Sequence, residues 1–232
     1  PAAQQSLLEL LAKSGKPIVV VLLNGSALAI SWAREHAAAI VEAWYPGEAG
    51  GTAIAEVLFG DYNPGGRLPV TFYQSIAQVP DYESYDMTGR TYRYFTDEPL
   101  YPFGHGLSYT TFAYGTLALS APSIAAGETV TVSVEVRNTG EMAGDEVVQL
   151  YLSAEQPAVP APIRSLKGFR RIHLVPGEAQ TVAFTLPAEA FMYADPAGEP
   201  ILDPGTFRLT LAGGQPGYVP AAQMAEGTIE VK

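Results

Sequence analysis

Two hydrophobic periods divide the chain. Up to about residue 72, apolar residues come in short unbroken runs separated by stretches of helical spacing, and from residue 113 onward they alternate with polar ones. In the first region, residues 2–12 predict a helix, with Leu7, Leu8 and Leu11 on one face and Gly15 and Pro17 ending it. Residues 18–23 form a continuous aliphatic, β-branched run, which suits a strand covered on both faces. Residues 27–36 predict a short helix, 39–44 a second buried strand, 51–59 a third helix closed by Gly60, and 68–72 a further strand. Helices alternating with apolar strands imply α/β architecture with right-handed crossovers. Two or three strands cannot cover one another on both sides. Residues 1–75 are therefore expected to be the tail of a larger α/β domain.

In the second region Val130, Val132, Val134 and Val136 alternate with Thr131, Ser133 and Glu135, the pattern of a half-buried strand, and Asn138, Thr139 and Gly140 end it. Similar runs at 116–119, 146–152, 166–174, 181–186, 205–211 and 228–231 are separated by turns such as Pro176-Gly177 and Pro204-Gly205. About seven short strands with almost no helix predict a fibronectin-like β-sandwich over residues 113–232. The absence of cysteine excludes the antibody type. Residues 76–112 carry nine of the chain's aromatic side chains, including Tyr85, Tyr92 and Phe103. Flexible linkers are rich in Gly and Ser, so this stretch is expected to be a packed interdomain strap. The fold class expected is α/β plus all-β.

Charge and composition narrow the chemistry. With 13 Lys and Arg against 24 Asp and Glu, the net charge of −11 disfavours nucleic-acid and membrane-surface partners. Zero Cys removes thiolate catalysis and thiolate metal sites, and the three histidines stand far apart in sequence, so neither a metal nor a cofactor is expected. Beyond the carboxyl ends of the first two strands lie Asn24-Gly25-Ser26 and the loop of Tyr45 to Glu48, where ligands gather in open α/β sheets. Glu48 is thus a candidate for binding a polar ligand, against the alternative that it caps the following helix. Gly47, Gly50 and Gly51 fit neither a P-loop nor a dinucleotide fingerprint and are read as helix-to-strand packing. His105 sits in an aromatic neighbourhood and is read as a packed, hydrogen-bonded side chain. No Ser/His/Asp order stands out.

Several long segments, in order, resemble the C-terminal half of family 3 glycoside hydrolases: GKPIVVVLLNG at 15–25, AWYPGEAGG at 43–51 and FGDYNPGGRLPVT at 59–71. GRTYRYF at 89–95 and LYPFGHGLSYT at 100–110 are similar to that family's connection into its fibronectin-III-like domain, as is LKGF at 166–169. The resemblance implies an exo-acting, retaining β-glycosidase that removes non-reducing terminal sugars, of β-xylosidase or β-glucosidase type, with two carboxyl groups about 5 Å apart. It places the nucleophile in an N-terminal (β/α)8 barrel and the acid/base in the α/β domain upstream of this chain, so no residue here is nominated as catalytic. The implied partners are that barrel, the rest of the α/β domain and the oligosaccharide substrate, in a secreted or periplasmic setting. Tyr85, Arg90 and Tyr92 join Glu48 as substrate-binding candidates, with interdomain packing as the alternative. His105 stands where relatives often carry an aromatic. A reading from another class is a non-catalytic carbohydrate-binding or scaffolding module.

Overall fold

The computed structural model describes residues 2–232. Its first part holds helix α1 (Ala2–Ala12), strand β1 (Val19–Leu22), helix α2 (Ser31–His36), strand β2 (Ala39–Glu42) and helix α3 (Gly50–Phe59). Strands β1 and β2 pair in parallel from Val19 with Ala39 to Leu22 with Glu42, and among the described residues no third strand joins them. Helix α3 stops at Gly60, which takes a left-handed φ of 83° that a side chain would resist. Residues 68–72 form no regular strand. They lie against the strap instead, with the Leu68 and Phe72 amides donating to the His105 and Tyr101 carbonyls.

The glycines near α3 do not serve helix-to-strand packing. A Cβ on Gly50 would collide with the Pro46 ring at 2.4 Å, while Gly51 faces open space and Gly47 sits at a positive φ of 73°. Glu48 does not cap the helix either, because the cap residue is Ala49 and no side chain bonds there.

After the short helix α4 (Thr91–Tyr94) the chain becomes a two-sheet sandwich. One sheet has five strands: β5 (Ser123–Ile124), β13 (Met224–Val231), β12 (Gly205–Ala212), β7 (Gly144–Ala154) and β8 (Ser165–Leu174), in that order. In the other, β6 (Thr129–Asn138) pairs β3 (Phe112–Tyr114) and β4 (Ala118–Leu119) along one edge and β9 (Ala179–Pro187) along the other. A hairpin of β10 (Tyr193–Ala194) and β11 (Pro200–Ile201) flanks them. The predicted alternation is realised: Val130, Val132, Val134 and Val136 all enter the core, opposite Leu150, Leu209 and Leu211. Fully burying each such side chain contributes about 1.5–3 kcal/mol.

Strand β7 breaks the two-period rule, because residues 148–152 are buried on both faces. The outer face is covered by the strap. Gln149 Nε2 donates to the Gly104 carbonyl at 3.3 Å, and the Tyr151 ring meets Tyr92 edge-on at 6.1 Å.

A buried ion pair ties the first part to the sandwich. Arg67 Nη2 lies 3.1 Å from Glu146 Oε1, with side-chain exposures of 8% and 2%, and Arg67 Nε donates to the Gly213 carbonyl at 3.0 Å. Burial pushes the Glu146 carboxyl up, while the Arg67 charge pulls it back toward the ionised form. Beside it, Asn63 donates to the Ala143 carbonyl and accepts from Ser108 Oγ and the Tyr109 amide. His105 stacks on Tyr101 at 5.2 Å, and burial, aided by the charges of Arg67 and Arg34, holds its pKa below the ordinary 6.5.

Two outcomes are expected. Replacing Arg67 by Met strands the Glu146 charge and costs about 3–5 kcal/mol of stability in urea unfolding, and adding Glu146→Leu recovers most of the loss. At His105 the unfolded chain takes up a proton that the folded chain refuses, so its contribution is whole above pH 6.5 and declines as pH falls from 6.5 toward the lowered folded-state value. Melting temperatures measured across that window will show a shallower acid-side decline in His105→Phe than in the parent.

Candidate functional site

Because β1 and β2 run in parallel, their carboxyl ends open on the same side, and a groove of about 870 Å³ lies there. The loop after β1 supplies Gly25, Ser26 and Ala27, and Trp44 comes from just past β2. Pro69, Val70, Thr71 and Tyr73 contribute from the stretch that lies against the strap. Met87, Thr91, Tyr92, Arg93 and Phe103 complete the lining from the strap itself. Its volume suits a small ligand, and its surface is mostly aromatic and aliphatic with a few polar groups. No Asp or Glu lines it.

Two lining residues sit in the left-handed backbone region without being glycine: Trp44 at φ 51° and Thr91 at φ 54°. For a β-branched residue such as Thr91 this costs on the order of 1–3 kcal/mol, and it persists only where neighbours impose it. The Trp44 amide donates to Glu42 Oε1 at 3.0 Å, and its ring meets Phe72 edge-on at 6.1 Å. The Thr91 amide donates to the Tyr73 hydroxyl at 3.3 Å. The turn at Trp44 cuts the second strand short of the predicted residue 44 and swings the indole into the groove.

The four residues singled out from the sequence have different surroundings. Tyr92 is in the groove wall, where its ring stacks on Phe103 at 4.2 Å and its hydroxyl accepts from the Leu166 amide at 3.0 Å. Arg90 is outside the groove. Its guanidinium donates to the carbonyls of Asp81, Ser84 and Asp86 at 2.7–2.9 Å and so sets the path of the 81–90 loop. Tyr85 projects from that loop, 98% exposed, beside the equally bare Tyr82. Glu48 is exposed and does not line the groove. Asn24 turns its amide onto the Ser26 carbonyl at 2.7 Å, and neither it nor Glu48 is among the residues that line the groove.

Sequence reasoning did not single out Thr71 or Arg93, yet both residues line the groove, and Thr71 Oγ1 and Arg93 Nε are buried without a hydrogen-bond partner. Glu42 Oε2 and Asn24 Oδ1, at the strand ends, are also buried and unpartnered. Among the described residues, no group of three or more His, Asp or Glu side chains is placed to hold a metal ion. Among the described residues no helix is long and apolar enough to cross a membrane.

Residues 1–109 match the glycosyl hydrolase family 3 C-terminal domain, and residues 146–215 match the fibronectin type III-like domain. A periplasmic β-glucosidase of Salmonella typhimurium is 42% identical over the whole chain, and a β-xylosidase of Formosa agariphila is 46% identical over 90% of it. The chain spans 31% and 30% of those two proteins. Among solved structures, a β-glucosidase from Erythrobacter marinus superposes with a TM-score of 0.85 at 42% identity, covering 99% of this chain and 30% of that one. A Listeria innocua β-glucosidase in complex with glucose also superposes at 0.85, with 32% identity over 100% of this chain and 33% of its own. The α/β segment, the strap and the sandwich thus recur together and in the same order, and the chain carries a glycosyl hydrolase family 3 C-terminal domain followed by a fibronectin type III-like domain.

Proposed function

We propose that this chain is the non-nucleophilic part of an exo-acting, retaining β-glycosidase of β-xylosidase or β-glucosidase type. In this reading it completes the active site of a preceding barrel and α/β portion and works outside the cytoplasm. The observation that carries the reading is the uncovered parallel pair. Strands β1 and β2 form a two-stranded sheet, and helix α1 buries no residue. Leu7, Leu10, Leu11 and Leu23 are exposed, and Phe59 and Ile76 are 84% and 83% exposed. Parallel sheets are stable when both faces are covered, and an apolar surface of this kind marks an interface. Relatives about three times as long contain polypeptide that fits that role.

The composition of the groove supports the division of labour. With no carboxylate in its lining, it offers aromatic faces and hydrogen-bonding groups for positioning a sugar or its aglycone, while the two reacting carboxyls come from elsewhere. Tyr92 belongs to the wall, and Arg90 acts on the shape of the loop beside it. The bare rings of Tyr82 and Tyr85 favour a second reading, a module that holds carbohydrate without cleaving it.

Hydrolysis of p-nitrophenyl β-xyloside and β-glucoside separates the two. The 232-residue chain alone is expected to release no nitrophenol, and covalent fusion to the barrel and α/β portion of a close relative is expected to restore release. Retention of the isolated chain on insoluble xylan or cellulose, together with an inactive fusion, would establish the binding module instead.

A further inference from the structure

The loop of residues 81–90 has a set path and yet leaves its rings uncovered. Arg90 donates from Nε to the Asp86 carbonyl and from Nη2 to the Asp81 and Ser84 carbonyls, at 2.7–2.9 Å. Shorter turns close inside the loop: Asp81 accepts from the Glu83 amide, Ser84 from the Asp86 amide and Asp86 from the Thr88 amide, at 2.9–3.2 Å. Gly89 takes the left-handed φ of 74° that returns the chain to α4. Polar bonds therefore fix this backbone without apolar cover. Tyr82 and Tyr85 take no part in those bonds and stand 97% and 98% exposed. A ring on a fixed backbone loses little conformational freedom when a ligand covers it, so such a loop is suited to binding.

The loop is continuous with the groove, because Met87 and Thr91 belong to the groove lining and Tyr85 is two residues from Met87. Its charges select among occupants. Asp81, Glu83 and Asp86 are exposed, and the single cation of the loop, Arg90, has its guanidinium on backbone carbonyls. Bonds from Thr88 hold the Asp86 carboxyl below the ordinary carboxylate range, which keeps it ionised. This surface repels an acidic partner, and a second copy of a chain with net charge −11 would set the same carboxylates against it. A covering apolar polypeptide face would strip water from three carboxylates without pairing them. A basic peptide would suit the carboxylates but finds none in the groove lining. A neutral sugar chain meets none of these obstacles: its C–H faces lie on rings, and its hydroxyls donate to carboxylates.

We propose that the 81–90 loop is a stacking platform for an oligosaccharide, taking on Tyr82 and Tyr85 the sugar units that extend beyond those held in the groove. The proposal rests on the reading of the groove as a carbohydrate site and adds to it a preference for chain length. Arg90 is a positioning residue that shapes the loop and does not touch the sugar.

The test is calorimetric titration of the 232-residue chain with xylobiose and xylotetraose, and with cellobiose and cellotetraose. In the series that binds, the tetraose is expected to bind roughly tenfold more tightly than the biose. That ratio falls to about threefold or less in the double variant Tyr82→Ala with Tyr85→Ala, and is kept in Tyr82→Phe with Tyr85→Phe, where the ring faces remain. It is the same at low and high salt, because the ligand is neutral. In Arg90→Gln the ratio also falls, and chymotrypsin, which cuts after tyrosine, cleaves the loop faster. Saturating tetraose slows that cleavage in the parent chain. If biose and tetraose bind alike and filling the groove with Ala27→Trp blocks both, the groove is a carbohydrate site and the platform is overturned. If no sugar binds, the carbohydrate reading itself fails, and the platform with it. Displacement of the tetraose by tetralysine at equal concentration would show that the loop takes cations, against the proposal. Chymotrypsin cleavage at Tyr82 and Tyr85 in this chain, but not in its sugar-free fusion to the barrel and α/β portion of a relative, would show that neighbouring polypeptide covers the rings and would likewise overturn it.

Discussion

The Arg67–Glu146 pair is the contact on which the arrangement turns. Glu146 falls in phase with Val148 and Leu150 on β7, so the strand carries its carboxylate toward the sandwich interior, where it is 1% exposed. An ionised carboxylate there is costly unless a cation reaches it, and the cation comes from 79 residues earlier in the chain. The surrounding backbone approaches closely enough to forbid side chains. A Cβ on Gly106 would sit 2.1 Å from the Gly66 carbonyl oxygen, and one on Gly104 would sit 2.3 Å from Gln149 Oε1. The junction between the α/β part and the sandwich is thus fixed by one buried charge pair and by glycines that allow strap and strand to touch.

From that junction the sandwich reaches the groove through Tyr92. The residue stacks on Phe103, meets Tyr151 edge-on, accepts from the Leu166 amide and lines the groove. The strap is held to β7 by these aromatic contacts and to the carboxyl end of β2 by the Trp44 and Phe72 rings. Strain at Trp44 and Thr91 is sustained because both residues sit where these elements converge. A fibronectin-like sandwich remote from the strand ends can in this way set the shape of a groove it does not itself line.

Much of this was legible in the chain. The valine alternation at 130–136, the aliphatic run at 18–23 and the Gly60 stop each encode a local preference that the folded chain follows, since burial pattern and backbone freedom act over a few residues. Aromatic content alone did not say which strap rings find cover: Tyr92 and Phe103 stack on each other, while Tyr82 and Tyr85 stand bare. Residues 68–72 were less so: their apolar pattern is strand-like, but their partner is the irregular strap, which presents only one bridge at Phe72 and Tyr101.

The site was the least legible part, and the reason is geometric. Tyr92 could be singled out by its motif, but Arg93 beside it carries the unpartnered donor, and nothing local distinguishes the two. Glu48 follows a strand end as a ligand residue should, yet the left-handed turn at Trp44 sends the indole into the groove and leaves the carboxylate outside. What the amino-acid order determined by itself was the periodicity, and hence an α/β segment and a sandwich joined by an aromatic-rich stretch. Which of the side chains in those elements converge was decided by long-range closure, through a charge pair and ring contacts spanning tens of residues that no local pattern can register.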